Sequence, residues 1–172
     1  MQNKICEIIK FQNSPKRVWI GDPCYVISDK LWDTVCEQIF KGRDSEVGQI
    51  ITFNFKQMIE ANCLKADSPH EDEDQWSFIQ CGTMYGDGLY ESNTGFRYGV
   101  DSGCLGIVPD YLIAPENLAD AKRLGQFFEL DKIESMSLIT DGKGEFLFSV
   151  NESTIEMIFT GDEEEYEEDK AE

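Results

Sequence analysis

Short apolar runs of β-type residues, separated by turns that combine glycine with aspartate, restrict the fold of this chain more than any other feature. Three such turns stand at residues 21–23 (Gly-Asp-Pro), 86–88 (Gly-Asp-Gly) and 100–103 (Val-Asp-Ser-Gly), each beside an apolar or aromatic run. Glycine adopts backbone angles that other residues avoid, and an aspartate side chain bonds readily to the nearby main chain. The pattern therefore predicts tight connections between strands. If the three turns converge in the fold, their carboxylates form an acidic pocket.

The C-terminal third of the chain carries the strongest β signal. Apolar runs at 135–140, 145–150 and 154–160 are joined by Asp-Gly-Lys-Gly at 141–144 and by Asn-Glu-Ser at 151–153. Asp-Gly or Asn between two apolar runs is typical of a β-hairpin. This region is therefore predicted to form an antiparallel meander.

One amphipathic helix is predicted at 28–41. Ser28 is a suitable N-cap, and apolar side chains then recur at spacings of three and four residues. We expect one side of this helix to pack against a sheet, namely the side formed by Trp32, Val35, Cys36 and Ile39.

These elements together predict an α+β fold, built mostly from an antiparallel sheet or partly open barrel with the amphipathic helix packed on it. At 172 residues the chain is about the size of one ordinary domain. We expect a single acidic domain at 1–161 and a disordered acidic tail at 162–172, because that tail holds eight acidic residues and one lysine.

The charge balance limits the partners that the chain can bind. It has 34 acidic residues against 15 lysines and arginines, which gives a formal net charge of −19. Such a surface repels nucleic acid and anionic membranes, because binding to phosphate requires lysine and arginine. Direct binding to nucleic acid or to a membrane is therefore not expected. Attraction to a basic protein surface or to cations remains open.

Several classes of enzyme lack their motifs in this chain. It has no phosphate-binding loop, no dinucleotide-binding glycine motif, no zinc-protease motif and no hydrolase nucleophile elbow. The single histidine, His70, stands among acidic residues, so a mechanism that needs two histidines is excluded. No apolar segment is long enough to span a membrane, and the start of the chain lacks the apolar core of a signal peptide. We expect a cytoplasmic protein with free thiols and a non-enzymatic role.

Asp22, Asp87 and Asp101 are the candidate metal ligands. Mg²⁺ and Ca²⁺ take oxygen ligands, often carboxylates supplied by loops at one end of a sheet. Such a site would support hydrolysis through a metal-bound water, or would bind a small ligand. The alternative is that each aspartate caps its own turn by accepting hydrogen bonds from main-chain N–H groups, with no cofactor at all.

The sequence resembles a group of uncharacterised small proteins common in bacteriophage genomes. The likeness lies in Gly-Asp-Pro-Cys-Tyr-Val at 21–26, in Gly-Asp-Gly-x-Tyr at 86–90 and in Val-Asp-Ser-Gly-x-x-Gly-Ile at 100–107. It covers about residues 18–108. The resemblance implies a phage or prophage origin and a role inside the host cell, and it brings no catalytic residue with it.

These observations favour a small acidic binding protein over an enzyme. We expect it to inhibit a host protein with a basic surface, such as a nucleic-acid-binding or defence protein, because opposite charge speeds encounter and fixes orientation. The predicted partner-binding residues are the acids of one loop: Asp67, Glu71, Asp72, Glu73 and Asp74. The alternative function is a metal-dependent hydrolase or small-ligand binder that uses the loop aspartates.

Overall fold

The protein was analysed as a computed structural model, which describes residues 5–12, 14–42, 48–63, 76–141 and 143–160. In these ranges the helices are α1 (Asp29–Gly42), α2 (Phe55–Glu60) and α3 (Leu118–Leu124). The strands are β1 (Ile5–Lys10), β2 (Arg17–Gly21), β3 (Gln49–Phe53), β4 (Trp76–Gly82), β5 (Gly88–Glu91), β6 (Arg97–Val100), β7 (Cys104–Pro109), β8 (Gln126–Glu129), β9 (Ser135–Thr140), β10 (Glu145–Val150) and β11 (Ser153–Phe159). The predicted strand-rich α+β fold is confirmed, while the acidic tail at 162–172 lies outside the described residues.

The predicted C-terminal meander is confirmed as part of a four-stranded antiparallel sheet. Its strand order is β1-β9-β10-β11, so the first strand of the chain pairs with β9 from the last third. Successive side chains of a strand point to opposite faces. In β10 the inward residues Phe146 and Phe148 are fully buried, and their rings stack with centroids 6.0 Å apart.

The second sheet has five strands in the order β3-β4-β7-β2-β8. Its central strands β4 and β7 are buried along almost their whole length, which requires cover on both faces. A separate hairpin of β5 and β6 is joined to the edge of the first sheet by a bridge between Ser92 and Ile158.

Two hydrophobic clusters lie on the two faces of the five-stranded sheet. On one face, side chains such as Ile20 and Ile107 pack against the inner face of the four-stranded sheet. On the other face, Trp19 and Phe78 pack against the helices. The molecule is therefore layered as sheet, sheet and helices. No helix of the described residues is long and apolar enough to cross a membrane.

Helix α1 begins as the sequence predicts but packs differently. The hydroxyl of Ser28 accepts a hydrogen bond from the N–H of Lys30 at 3.2 Å, which is the expected capping role. Leu31 and Val35 supply the buried contact with the sheet, each 1% exposed. Cys36, which the pattern placed on the packed side, is exposed and borders an open cleft between the helix and the sheet.

Candidate functional site

The turn at 21–23 and the turn at 100–103 meet at the carboxylate of Asp22. Asp22 precedes a 3-10 helix at Pro23–Tyr25, and its Oδ1 accepts a hydrogen bond from the N–H of Cys24 at 2.9 Å. The N–H groups of Asp101 and Ser102 both donate to Oδ2 at 2.7 Å. The hydroxyl of Ser102 donates to Oδ1 at 2.6 Å. With four donors around a carboxylate that is 0% exposed, Asp22 joins two turns that are about eighty residues apart in the chain.

The third turn is attached to the same place through main-chain contacts. The N–H of Thr83 donates to the carbonyl of Gly103 at 2.8 Å, and the hydroxyl of Thr83 donates to the carbonyl of Gly86 at 2.6 Å. The hydroxyl of Tyr90 also donates to the Gly86 carbonyl, at 2.9 Å. Gly86 and Gly103 both have positive φ angles, +72° and +82°, which glycine adopts at least cost. The three glycine–aspartate turns therefore converge, as the sequence allowed.

The three carboxylates of these turns differ in their exposure and in their contacts. Asp22 is buried, whereas Asp87 and Asp101 are exposed, and Asp101 meets Asp22 through its N–H and not through its side chain. The pKa of Tyr25 is raised first by burial and then by the charges of neighbouring groups, which include all three aspartates. Among the described residues, no group of three or more His, Cys, Asp or Glu side chains is placed to hold a metal ion. The capping alternative describes Asp22, whose carboxylate is already occupied by protein donors.

The other predicted site falls where the structure gives no description. Asp67, Glu71, Asp72, Glu73 and Asp74 were predicted to bind a basic partner, and all five lie outside the described residues. The prediction for this loop stays a prediction.

A cleft of about 420 Å³ opens beside the junction of the turns. Helix α1 forms one wall, from which four side chains reach the cleft: Trp32, Val35, Cys36 and Ile39. These are the residues that the helical pattern selected. This side of α1 packs against the sheet only in part, and the rest of it lines the cleft.

The opposite wall of the cleft is formed by the sheet and the turns. Strand β4 contributes Phe78 and Gln80, the two joined turns contribute Pro23 and Ser102, and strand β7 contributes Cys104. Pro23 packs closely over β7 because Gly106 has no side chain. A Cβ atom at Gly106 would lie 3.0 Å from Cγ of Pro23 and 2.7 Å from a main-chain carbonyl oxygen of the neighbouring strand. This close approach sets the position of the wall.

The thiols near this junction are held in the neutral form. Burial, and then the negative charge of Asp22, raise the pKa of Cys104 to about 12. The pKa of Cys24 is also raised, by burial and by the Asp22 carboxylate. A nucleophilic cysteine needs the opposite, an environment that stabilises its thiolate. On the cleft wall, Cys104 therefore carries a neutral thiol.

A second polar cluster, which the sequence pattern did not single out, lies in the core between the sheets. Glu156 is 0% exposed and accepts hydrogen bonds from Thr94, from the hydroxyl of Tyr98 at 2.5 Å and from Nε2 of Gln126 at 2.6 Å. Glu156 stands on the inward face of β11, two residues before the buried Ile158. A charged residue at an inward position of an alternating strand is the signal that could have identified it.

No protein-family model, curated protein or solved structure matches this chain.

Proposed function

We propose that the protein is a non-enzymatic binding protein whose cleft takes a small, mainly apolar molecule. The observation that carries this proposal is the cleft of about 420 Å³ between α1 and the junction of the turns. Small-molecule sites are typically clefts of roughly 300–1,000 Å³ with apolar walls and a few polar groups. Trp32, Ile39 and Phe78 supply the apolar walls here, and Gln80 and Ser102 supply the polar groups.

The bonding around Asp22 supports binding over catalysis. Its four hydrogen bonds hold the turns that form one wall, and preorganised walls lower the cost of binding. The raised pKa values of Cys24 and Cys104 remove the two nearest candidates for a nucleophile at neutral pH. The aspartates then act mainly as architecture, in place of the metal ligands that the alternative hypothesis requires.

A cleft-filling substitution tests this proposal. Cys36→Phe adds a ring at an exposed position on the cleft wall, and Asp33→Phe adds the same ring at an exposed position of the same helix away from the cleft. A library of small aromatic and aliphatic molecules is screened by ligand-observed NMR and by thermal shift. A ligand at ten times its Kd stabilises the fold by about 1.4 kcal/mol.

We expect molecules that bind the original protein and the Asp33→Phe variant to lose at least tenfold in affinity for the Cys36→Phe variant. Equal binding to all three proteins would place the ligand elsewhere and refute the proposal. The absence of any binding molecule from a diverse library would refute it as well.

A second proposal, inhibition of a basic host protein, is favoured by the exposed acidic residues at the junction of the turns. The convergence of the turns places the exposed Asp87 and Asp101 in the same region of a chain whose net charge is −19. The resemblance to phage proteins points to a host nucleic-acid-binding or defence protein as the target. Binding between exposed charges weakens with salt, because the Debye length falls to about 3 Å at 1 M.

A pull-down from host lysate, washed at about 0.15 M and about 0.5 M salt, tests the second proposal. The bait proteins are the original chain, a variant with Asp87→Asn and Asp101→Asn, and a variant with alanine at the acids of 67–74. Capture that is lost at the higher salt and in either variant is expected. Capture that survives both changes would contradict an electrostatic mechanism.

A further inference from the structure

The ligand class of the cleft can be narrowed from the hydrogen bonds of Gln80, and this inference rests on the proposed binding function. Gln80 lines the cleft and is 3% exposed. Its Nε2 donates to Oε1 of Gln49 at 3.1 Å, while its own Oε1 has no hydrogen-bond partner within the described part of the chain. An unsatisfied buried acceptor costs about 1–3 kcal/mol, so native proteins rarely keep one without a reason.

The orientation of the Gln80 amide is determined by a relay of three glutamines. Nε2 of Gln49 donates to the main-chain carbonyl of Gln38 at 2.7 Å. Since a carbonyl only accepts, the amide group of Gln49 must turn its NH₂ toward α1 and its oxygen toward Gln80. Gln80 must then present its NH₂ to Gln49, which leaves its Oε1 as the free group.

The first glutamine of the relay is itself held at both ends of its amide. Nε2 of Gln38 donates to the carbonyl of Thr52 at 2.7 Å, and Oε1 of Gln38 accepts from the N–H of Thr52 at 3.0 Å. This pair of hydrogen bonds joins α1 to β3. It also holds in place the Gln38 carbonyl that orients the amide of Gln49. A chain of hydrogen bonds from α1 through β3 to Gln80 therefore determines that the unpaired atom is Oε1 of Gln80.

We propose that the cleft binds an uncharged, flat, apolar molecule with one N–H or O–H group, which donates its hydrogen bond to Oε1 of Gln80. The ring lies between Trp32 on the helix and Phe78 on the sheet, which both line the cleft. An anion is disfavoured, because the carboxylate of Asp22 accepts a hydrogen bond from the hydroxyl of Ser102, which lines the same cleft. Heteroaromatic compounds with a ring N–H fit this description.

Three probes test the inference, of which the first two have nearly equal shape. Indole carries the N–H donor, benzofuran replaces that N–H by an oxygen that cannot donate, and indole-3-acetate adds a negative charge. Affinities are measured by isothermal titration calorimetry. The side-chain amide signals of Gln80 are followed by ¹⁵N NMR as a direct readout of the contact.

We expect the original protein to bind indole about tenfold or more tightly than benzofuran, since a site that accepts a hydrogen bond rejects an analogue that cannot donate one. Gln80→Met keeps the length of the side chain but removes its acceptor, so this variant should bind the two probes equally. Indole-3-acetate should bind more weakly than indole. The comparison of indole with benzofuran on the original protein is informative even if the variant fails to fold.

The outcomes separate this inference from the proposed function. If indole and benzofuran bind the original protein equally and both are weakened by Cys36→Phe, the cleft is a ligand site but the role of Gln80 is overturned. If indole-3-acetate binds as tightly as indole, the restriction to uncharged ligands is overturned. If no probe binds, but molecules of the library bind and are weakened by Cys36→Phe, the inference fails while the proposed binding function stands. If neither a probe nor a library molecule binds, or if Cys36→Phe leaves all affinities unchanged, the inference and the proposed binding function fail together.

Discussion

Replacement of Asp22 by asparagine tests whether this residue holds the converging turns together. Asparagine keeps one carbonyl oxygen and places an NH₂ group where the other oxygen was. If the NH₂ takes the place of Oδ1, it faces the N–H of Cys24; if it takes the place of Oδ2, it faces the N–H groups of Asp101 and Ser102. In either orientation at least one backbone donor loses its acceptor, and the other bonds lose the negative charge.

The expected magnitude follows from the number of bonds. A hydrogen bond to a charged group contributes about 1.5–3 kcal/mol, and the remaining bonds weaken when the acceptor becomes neutral. We expect Asp22→Asn to lower the free energy of unfolding by about 2–4 kcal/mol and Asp22→Ala to lower it by about 3–5 kcal/mol. These losses are a large part of the roughly 5–15 kcal/mol of a typical domain.

Urea denaturation followed by tryptophan fluorescence measures this loss as a lower midpoint at an unchanged slope. Asp87→Asn and Asp101→Asn are matched controls, because both side chains are exposed, and each should change stability by less than about 0.5 kcal/mol. Ser102→Ala removes one donor to Asp22 and should cost about 1 kcal/mol alone, and its cost should differ in the Asp22→Asn background. If Asp22→Asn were as stable as the original protein, or if Asp101→Asn cost as much, the assignment of Asp22 as the joint would be refuted.

Three further predictions concern the close packing, the buried carboxylate and the thiols. Gly106→Ala should cost about 1–3 kcal/mol in urea denaturation and weaken ligand binding, since its Cβ would displace Pro23; unchanged stability would contradict the packing. Glu156→Ala should cost about 3–5 kcal/mol and Glu156→Gln clearly less, because the amide oxygen of glutamine can still accept from both Tyr98 and Gln126, which donate to the same oxygen; equal losses would argue against the network. The pKa of Cys104 rises from 9.0 to about 12 on folding. The contribution of its neutral thiol to the free energy of unfolding is therefore fully present below pH 9 and is lost as the pH rises toward 12. Unfolding midpoints measured between pH 8 and 11 should therefore fall less steeply for Cys104→Ala, and an identical slope would refute this.

Local sequence patterns predicted the elements whose signals are themselves local. The turn at 141–144 and the turn at 151–153 join neighbouring strands, and β9, β10 and β11 pair in chain order. Ser28 begins α1 because its hydroxyl needs only the next turn of chain to find a donor. Each of these contacts spans a few residues, so one stretch of sequence contains both partners.

Some features of the fold were not predicted from the sequence. Strand β8 at Gln126–Glu129 is short, and it exists because β2 offers an edge more than one hundred residues earlier in the chain. Helix α2 was not predicted either, although its capping box is local and joins Asn54 and Gln57, because its short apolar pattern also fits a strand or a loop. Glu156 belonged to a run that was correctly predicted as a strand, but its three donors come from other elements of the fold.

The candidate site also combines local contacts, which the sequence predicts, with contacts between distant residues, which it does not. The sequence selected Asp22 because aspartate caps turns, and its bond to Cys24 is that local role. Its bonds to Asp101 and Ser102 arise only when β2 and β7 pair and bring Gly21 opposite Gly106. The cleft is harder still to predict from the sequence, because it is a space between several elements. It lies between α1, the sheet and the turn in which Pro23 packs on Gly106. A binding function that depends on such a space has no sequence motif. The structural feature that indicates it is Oε1 of Gln80, which has no hydrogen-bond partner among the described residues.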